Sequence, residues 1–388
     1  MHSFRVHSEV VSGPRVCLSM IVKDEAHVIA RCLQSVLGVI DSWLIVDTGS
    51  TDGTQEVIRD FMAAAHKPGQ LTARPWRDFG SNRSEALELA RPLGDYCLFI
   101  DADEVWSAPP DFRLPELSVD AYRILHRHKA TDTRFWLTQI VASRLPFRFQ
   151  GVLHEAIACD LPHVVQDLPG PTITGWFDSA RNRLDPVEKY SRDARVLEAA
   201  LEREPDNARY VFYLAQSYRD AAQLEAARAT YERRSQMGGW EEEAWYAALW
   251  AARLAENLGR PEAAILGLLA AYERRPTRAE SLCDLARLHR TRREFQLAYL
   301  FAQKATTLSM PPDVLFVEEG VYRWRAWDEL AVAAYWVGQY AECQSIGERL
   351  LDTGVVPETD RPRIRKNCQL AERKIREMNT SSQKTPTP

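Results

Sequence analysis

The segment FIDADE (99–104) ends an apolar run with carboxylates at alternating positions, Asp101 and Asp103. In an extended chain residues i and i+2 point the same way, so two carboxylates converge at a strand tip. Such charges repel unless a cation lies between them, and a hard divalent metal that keeps open positions for phosphate oxygens suits the pair. An isolated DAD is also a common exposed loop sequence, so the pair gains meaning from its company. Two further acidic elements follow apolar runs: Lys23-Asp24-Glu25, and VDTGSTDGT (46–54), which places Asp47 at the end of its run. The Gly, Ser and Thr of the latter permit a sharp turn and suit a helix N-terminus, so Asp52 reads as a helix cap. Asp47 precedes the turn and reads as a site residue.

The elements that position these residues alternate. VCLSMIV (16–22) reads as a buried strand, followed by a helix with Ala26, Ile29, Ala30, Leu33 and Leu37 at helical spacing. WLIVD (43–47) is a second strand, followed by a helix from Thr54 to about Ala65. A third strand is expected near Leu71 to Trp76, a helix over 81–90 and a fourth strand over 96–103. This alternation implies an α/β domain with a largely parallel, Rossmann-like sheet, whose ligands gather at the carboxyl ends of its strands. The segments 121–126, 134–143, 154–160 and 171–177 read as strands without intervening helices, which makes the sheet mixed.

From about Asp185 the pattern is helical and repeats. Leu214, Ala215, Tyr218, Ala227 and Tyr231 recur as Leu285, Ala286, His289, Ala298 and Ala302, at the spacing of a 34-residue helix-turn-helix repeat. A small residue recurs at 227, 264, 298 and 343, with one long insertion around 314–327. These are tetratricopeptide-type repeats, in which small residues let paired helices approach closely. The expected division is 1–185, 186–376 and a disordered tail over 377–388. Trp240, Trp245, Trp250, Trp324, Trp327 and Trp336 read as packing between helices, and RLHRTRRE (287–294) as a solvated face and turn.

The formal net charge is −5, and all of it lies in 1–189, where 20 basic residues face 25 acidic ones. That balance offers no attraction to nucleic acid or an anionic membrane. Seven cysteines without CxxC spacing argue against a disulfide framework and for a cytoplasmic setting. Phosphate-loop, nucleophile-elbow and HExxH motifs are missing, and so are a signal peptide and a membrane-spanning run.

MIVKDEAHVIARCLQSV (20–36), WLIVDTGSTDGT and LFIDADE together resemble the family 2 glycosyltransferases of the GT-A fold. RPWRDFGSNRSEALELA (74–90) and SRLPFRFQGVLHEAI (143–157) extend the likeness, with Leu153 in place of the usual Val. Chains of this kind with C-terminal tetratricopeptide repeats are a recognised architecture, so the resemblance covers essentially the whole chain. It implies an inverting transferase that uses a nucleotide-sugar, with UDP favoured. Asp24 or Glu25 and Asp47 would then hold base and ribose, with Arg83 contacting the nucleotide and Arg77 near enough to compete. Asp101 would address ribose and metal, and Asp103 the metal, with Mg²⁺ or Mn²⁺ neutralising the diphosphate leaving group.

Inversion needs a base opposite the leaving group. Glu155 is the first choice, with Asp132 and Asp178 as alternatives, and His154 is a candidate further metal ligand. Adjacent residues on a regular strand face opposite ways, which counts against both serving one site. Arg144 and Arg148 read either as phosphate clamps or as solvated surface. The repeats are expected to hold a peptide, protein or glycan acceptor, or to assemble a homodimer. The competing expectation is an inactive, transferase-like scaffold that binds proteins through its repeats.

Overall fold

A computed structural model describes residues 13–128, 132–176 and 178–382. It divides into two compact units: residues up to 128 with 135–200, and residues 132–134 with 201 onward.

The first unit runs β1 (Val16–Val22), α1 (Ile29–Val36), β2 (Ser42–Asp47), α2 (Thr54–Ala64), β3 (Gly69–Ala73), α3 (Phe79–Ala90) and β4 (Tyr96–Phe99). It continues through β5 (Glu104–Ser107), β6 (Ala121–His128), β7 (Thr133–Ala142), β8 (Arg148–Gln150), β9 (Ala156–Ala158), β10 (Val165–Gly175) and α4 (Pro186–Leu201). The main sheet has the order β3-β2-β1-β4-β7-β6-β10-β5, and β8 and β9 form a separate antiparallel pair. β1 pairs in parallel with β2 and β4, whereas β4 and β7 are antiparallel, so the sheet is mixed.

Both faces are covered. Val16, Leu18, Met20 and Val22 of β1 pack with α1 and α2, while Cys17 packs with Ala86, Leu87 and Ala90 of α3. Strict alternation along β1 thus feeds two cores, which is why its whole run is apolar. Since β1, β2 and β4 run in parallel, the acidic segments that follow or end them emerge at one sheet edge.

Some boundaries differ from the sequence expectation. The third strand ends at Ala73 rather than Trp76, ahead of Pro75, which has no N–H to give a ladder. HEAIACD contributes only Ala156–Ala158 to a strand, and β10 starts at Val165, before the expected 171.

The second unit stacks α5 (Ala208–Asp220), α6 (Leu224–Gln236), α7 (Glu241–Asn257), α8 (Pro261–Arg274), α9 (Glu280–Thr291) and α10 (Phe295–Thr306). After β11 (Val317–Glu318) come α11 (Ala326–Trp336), α12 (Tyr340–Asp352) and α13 (Arg361–Ser382). These are the expected helical hairpins, and the recurring Ala227, Ala264, Ala298 and Cys343 are all buried. The insertion holds β11, which pairs with Thr133 and Arg134, and a π-helical turn at Val321–Arg325.

Trp245 is fully buried and donates to the Ala271 carbonyl, whereas Trp240 and Trp336 are exposed, the latter stacked on Phe295. The arginines of RLHRTRRE are less solvated than expected: Arg287 grips Glu256 of α7 and Arg290 grips Glu329 of α11. Of the expected tail, residues through Ser382 continue α13, and 383–388 lie outside the described residues. Among the described residues all seven cysteines are free, and no helix is long and apolar enough to cross a membrane.

Candidate active site

Asp101 and Asp103 occupy a tight turn between β4 and β5 rather than an extended strand end. The Glu104 N–H donates to the Asp101 carbonyl at 3.0 Å, and Glu104 Oε2 accepts from the Asp101 N–H, also at 3.0 Å. Asp103 Oδ2 accepts from the Ser179 N–H at 3.3 Å and from Asn182 Nδ2 at 3.1 Å. Burial, and next the charge of Asp101, push the Asp103 carboxyl above its ordinary value. The two carboxylates therefore do feel each other, although the turn and not strand geometry brings them together.

Arg83 links this turn to the expected base. Its guanidinium pairs with Asp101, and its Nε lies 2.5 Å from Glu155 Oε1. Burial alone would lower the Arg83 pKa; the Asp101 and Glu155 carboxylates more than offset it, and the group is raised. The placement of Arg83 follows from the start of α3. Asp78 caps the helix by accepting from the Ser81 N–H at 2.7 Å, and buried Asn82 ties down the approach through Arg77 N and the Pro75 carbonyl. A Cβ at Gly80 would collide with the Gly151 carbonyl oxygen, so the loop after β8 rests directly on the helix. Ser84 Oγ donates to the Phe149 carbonyl and accepts from its N–H, which docks β8 on α3. That contact sets Glu155 beside Arg83.

His154 and Glu155 lie in the bend between β8 and β9, with His154 at φ 51°. The opposite-face objection for adjacent strand residues therefore does not apply. Among the described residues no three His, Cys, Asp or Glu side chains gather as a metal cage, so His154 does not complete one with Asp101 and Asp103.

Asp47 closes β2 and is buried. Its Oδ1 accepts from the Gly49 and Ser50 N–H groups, each at 3.0 Å, and from Gln55 Nε2 at 3.1 Å, while its Oδ2 is buried with no partner. Asp24, at φ 58°, accepts from the Thr51 N–H at 2.7 Å and so holds the GSTDG loop against the end of β1. Asp52 is not the expected helix cap: the N-cap of α2 is Gly53, in the left-handed region, and Asp52, one residue earlier, accepts from the Thr54 N–H and from the Ala26 N–H. Glu25 is buried, and its Oε2 accepts from the Ala180 N–H at 3.3 Å. Burial first, then Asp103, Asp101 and Asp52, raise its carboxyl to about 7.

Other candidates are engaged elsewhere. Arg77 pairs with Glu85 along α3, Arg144 with Asp120, and Arg148 with Asp160. Asp178 is clamped bidentately by Arg31, which holds its carboxyl below the usual range, and Asp132 belongs to the second unit. The turn at 179–182, whose Ser179 and Asn182 hold Asp103, is the part that sequence reasoning missed. Nothing near Asn182 announces that it returns to a residue 79 positions earlier.

Residues 17–116 match the glycosyl transferase family 2. The chain carries a family 2 glycosyltransferase domain. A TPR repeat-containing protein of Synechococcus elongatus is 28% identical over 309 residues, 75% of each chain. The lipopolysaccharide core biosynthesis glycosyltransferase LpsC of Rhizobium meliloti is 33% identical over 107 residues, 27% of this chain and 38% of that protein. The SPbeta prophage-derived glycosyltransferase SunS of Bacillus subtilis is 24% identical over 219 residues, 52% of this chain and 48% of that protein. The match thus spans less than half the length of either named glycosyltransferase. The glycosyltransferase domain contains the whole Asp24–Asp47–Asp101 edge, and the helical hairpins follow it as tetratricopeptide-type repeats.

Proposed function

We propose that the domain is an inverting, metal-dependent transferase that takes a sugar from a nucleotide-sugar, with UDP favoured. The observation that supports this reading is the Arg83 guanidinium, which pairs with both Asp101 and Glu155. Asp47 Oδ2, buried and unpartnered, suits an N–H of the base, and Asp24 and Glu25 border the same edge.

A divalent cation fits the residues present: two neighbouring carboxylates, Asp101 and Asp103, whose mutual repulsion it relieves, with phosphate oxygens completing an all-oxygen shell. When bound, it supplies Lewis-acid stabilisation of the departing diphosphate. His154, beside Glu155 in the same bend, is the candidate further ligand. Glu155 takes the acceptor proton as the acceptor oxygen, or another nucleophile, attacks the anomeric carbon. Arg83 holds that carboxylate in place while its guanidinium also pairs with Asp101. The acceptor is a glycan, peptide or protein, which the repeats either hold or leave to the catalytic domain while they assemble a dimer.

Titration of the full chain with UDP in the presence of Mn²⁺ tests the reading. Heat of binding in the parent protein that disappears in Asp103→Ala supports it. An absence of heat in the parent protein sinks it in favour of an inactive scaffold.

A further inference from the structure

Beneath the Asp101–Asp103 turn runs a chain of polar side chains, half-buried Glu104 and buried His126 and Gln139, that the reaction above leaves without a task. Glu104 Oε2 accepts from the Asp101 N–H at 3.0 Å, and its Oε1 lies 3.5 Å from His126 Nδ1. The Gln139 amide nitrogen stands 2.8 Å from His126 Nε2 and donates to it, which leaves the ring proton on Nδ1, facing Glu104. The imidazole is buried and stacked on Phe135 at 5.1 Å between ring centroids. Three successive elements thus contribute: Glu104 opens β5, His126 lies on β6 and Gln139 on β7.

A four-residue turn with free ends lets its two carboxylates drift apart, because like charges at short range repel. Here the turn is closed twice by the same residue: the Glu104 N–H bonds the Asp101 carbonyl while its carboxylate bonds the Asp101 N–H. A glutamate side chain has enough rotamer freedom to leave such a bond. His126 limits that freedom by facing the second oxygen with Nδ1 at 3.5 Å, and Gln139 fixes the ring. The arrangement matches the outer partners that orient ligating carboxylates around a metal.

We propose that Glu104 and His126 are positioning residues, which hold the Asp101–Asp103 turn in the shape at which a divalent cation and a nucleoside diphosphate bind together. The inference rests on the metal-dependent reading of the site. Neither side chain touches the substrate; both act through the turn.

The test is titration of the full chain with the Mn²⁺·UDP complex, followed by heat, with thermal unfolding of each variant as a folding control. Glu104→Ala is expected to weaken binding about 10- to 100-fold, the usual range for loss of an outer-layer partner. Glu104→Gln, whose amide oxygen still accepts from the Asp101 N–H but whose NH2 faces the His126 Nδ1–H, is expected to recover only the first contact and to bind about 3- to 10-fold more weakly than the parent protein. His126→Phe keeps the stack on Phe135 and loses the Nδ1 contact; it is expected to weaken binding about 3- to 10-fold. Unchanged affinity in Glu104→Ala overturns the inference, and so does a Gln variant as weak as Ala. Should Glu104→Ala not fold, unchanged affinity in His126→Phe overturns it instead. Asp103→Ala separates the two levels: if it loses binding while the Glu104 and His126 variants bind normally, only the positioning role falls. A parent protein without heat removes both.

Discussion

At the scale of single residues, charge placement decides what each carboxylate can do. Glu155 pairs with Arg83, which also grips Asp101. Glu155→Gln is expected to fold and to bind Mn²⁺·UDP as before while kcat falls by roughly 10²–10⁴-fold, the usual contribution of a general base. Steady-state kinetics beside the binding titration check it, and a kcat within a few-fold of the parent protein would move the base elsewhere. Glu25 carries a pH signature. Its folded pKa, about 7, lies above its ordinary carboxyl value because of burial and the nearby acidic groups. The folded state therefore binds this proton more tightly, and the associated stability, present at low pH, is lost as pH rises through about 7. Glu25→Gln is expected to remove that loss, which makes the metal-free variant more stable than the parent at pH 8–9 by on the order of 1–3 kcal/mol. The difference narrows towards pH 5. Urea unfolding across that range reads the convergence.

At the scale of elements, the site depends on how closely β8 lies on α3. Gly80 meets Gly151 backbone to backbone, and Ser84 both donates to and accepts from Phe149. Gly80→Ala is expected to push the loop bearing His154 and Glu155 off the helix, costing about 1–3 kcal/mol as overpacking does and lowering kcat more than it raises KM. Ser84→Ala leaves two main-chain groups unpaired and is expected to cost about 1–3 kcal/mol. Thermal unfolding and kinetics of the two variants check both. These contacts were only half legible in the sequence. The Gly, Ser and Arg of DFGSNRSEALELA were visible as a motif, but Gly151 and Phe149 lie some 65 residues away, and no local pattern pairs them. The strand ends that carry Asp24, Asp47 and Asp101 were legible, because hydrophobic runs followed by acidic turns mark the carboxyl edge of a parallel sheet. The extended DAD was misread: a turn closed by Glu104 does what strand alternation was expected to do.

At the scale of the molecule, the repeat half was legible from its 34-residue period, since buried small residues must recur wherever paired helices touch. Its ion pairs were not. Arg278 is fully buried between Glu280 and Asp313, two of its partners lying 2 and 35 residues away. Arg278→Ala is expected to cost about 3–5 kcal/mol, because it strands buried carboxylates. In calorimetry of the full chain, Mn²⁺·UDP at 100 times its dissociation constant is expected to stabilise the glycosyltransferase unit by about 2.7 kcal/mol. The Arg278→Ala loss is expected in the transition of the other unit. The negative balance of residues 1–189 also takes on meaning at this scale: four of its carboxylates, Asp47, Asp101, Asp103 and Glu25, belong to the one edge that a cation would neutralise.

The most direct test is nucleotide release from a panel of nucleotide-sugars with Mn²⁺, comparing the parent protein with Asp103→Ala. The account predicts that one UDP-sugar is turned over by the parent protein, that chelation of the metal stops it, and that Asp103→Ala lowers turnover at least about 10²-fold. Equal turnover by parent and variant, with or without chelator, would contradict it.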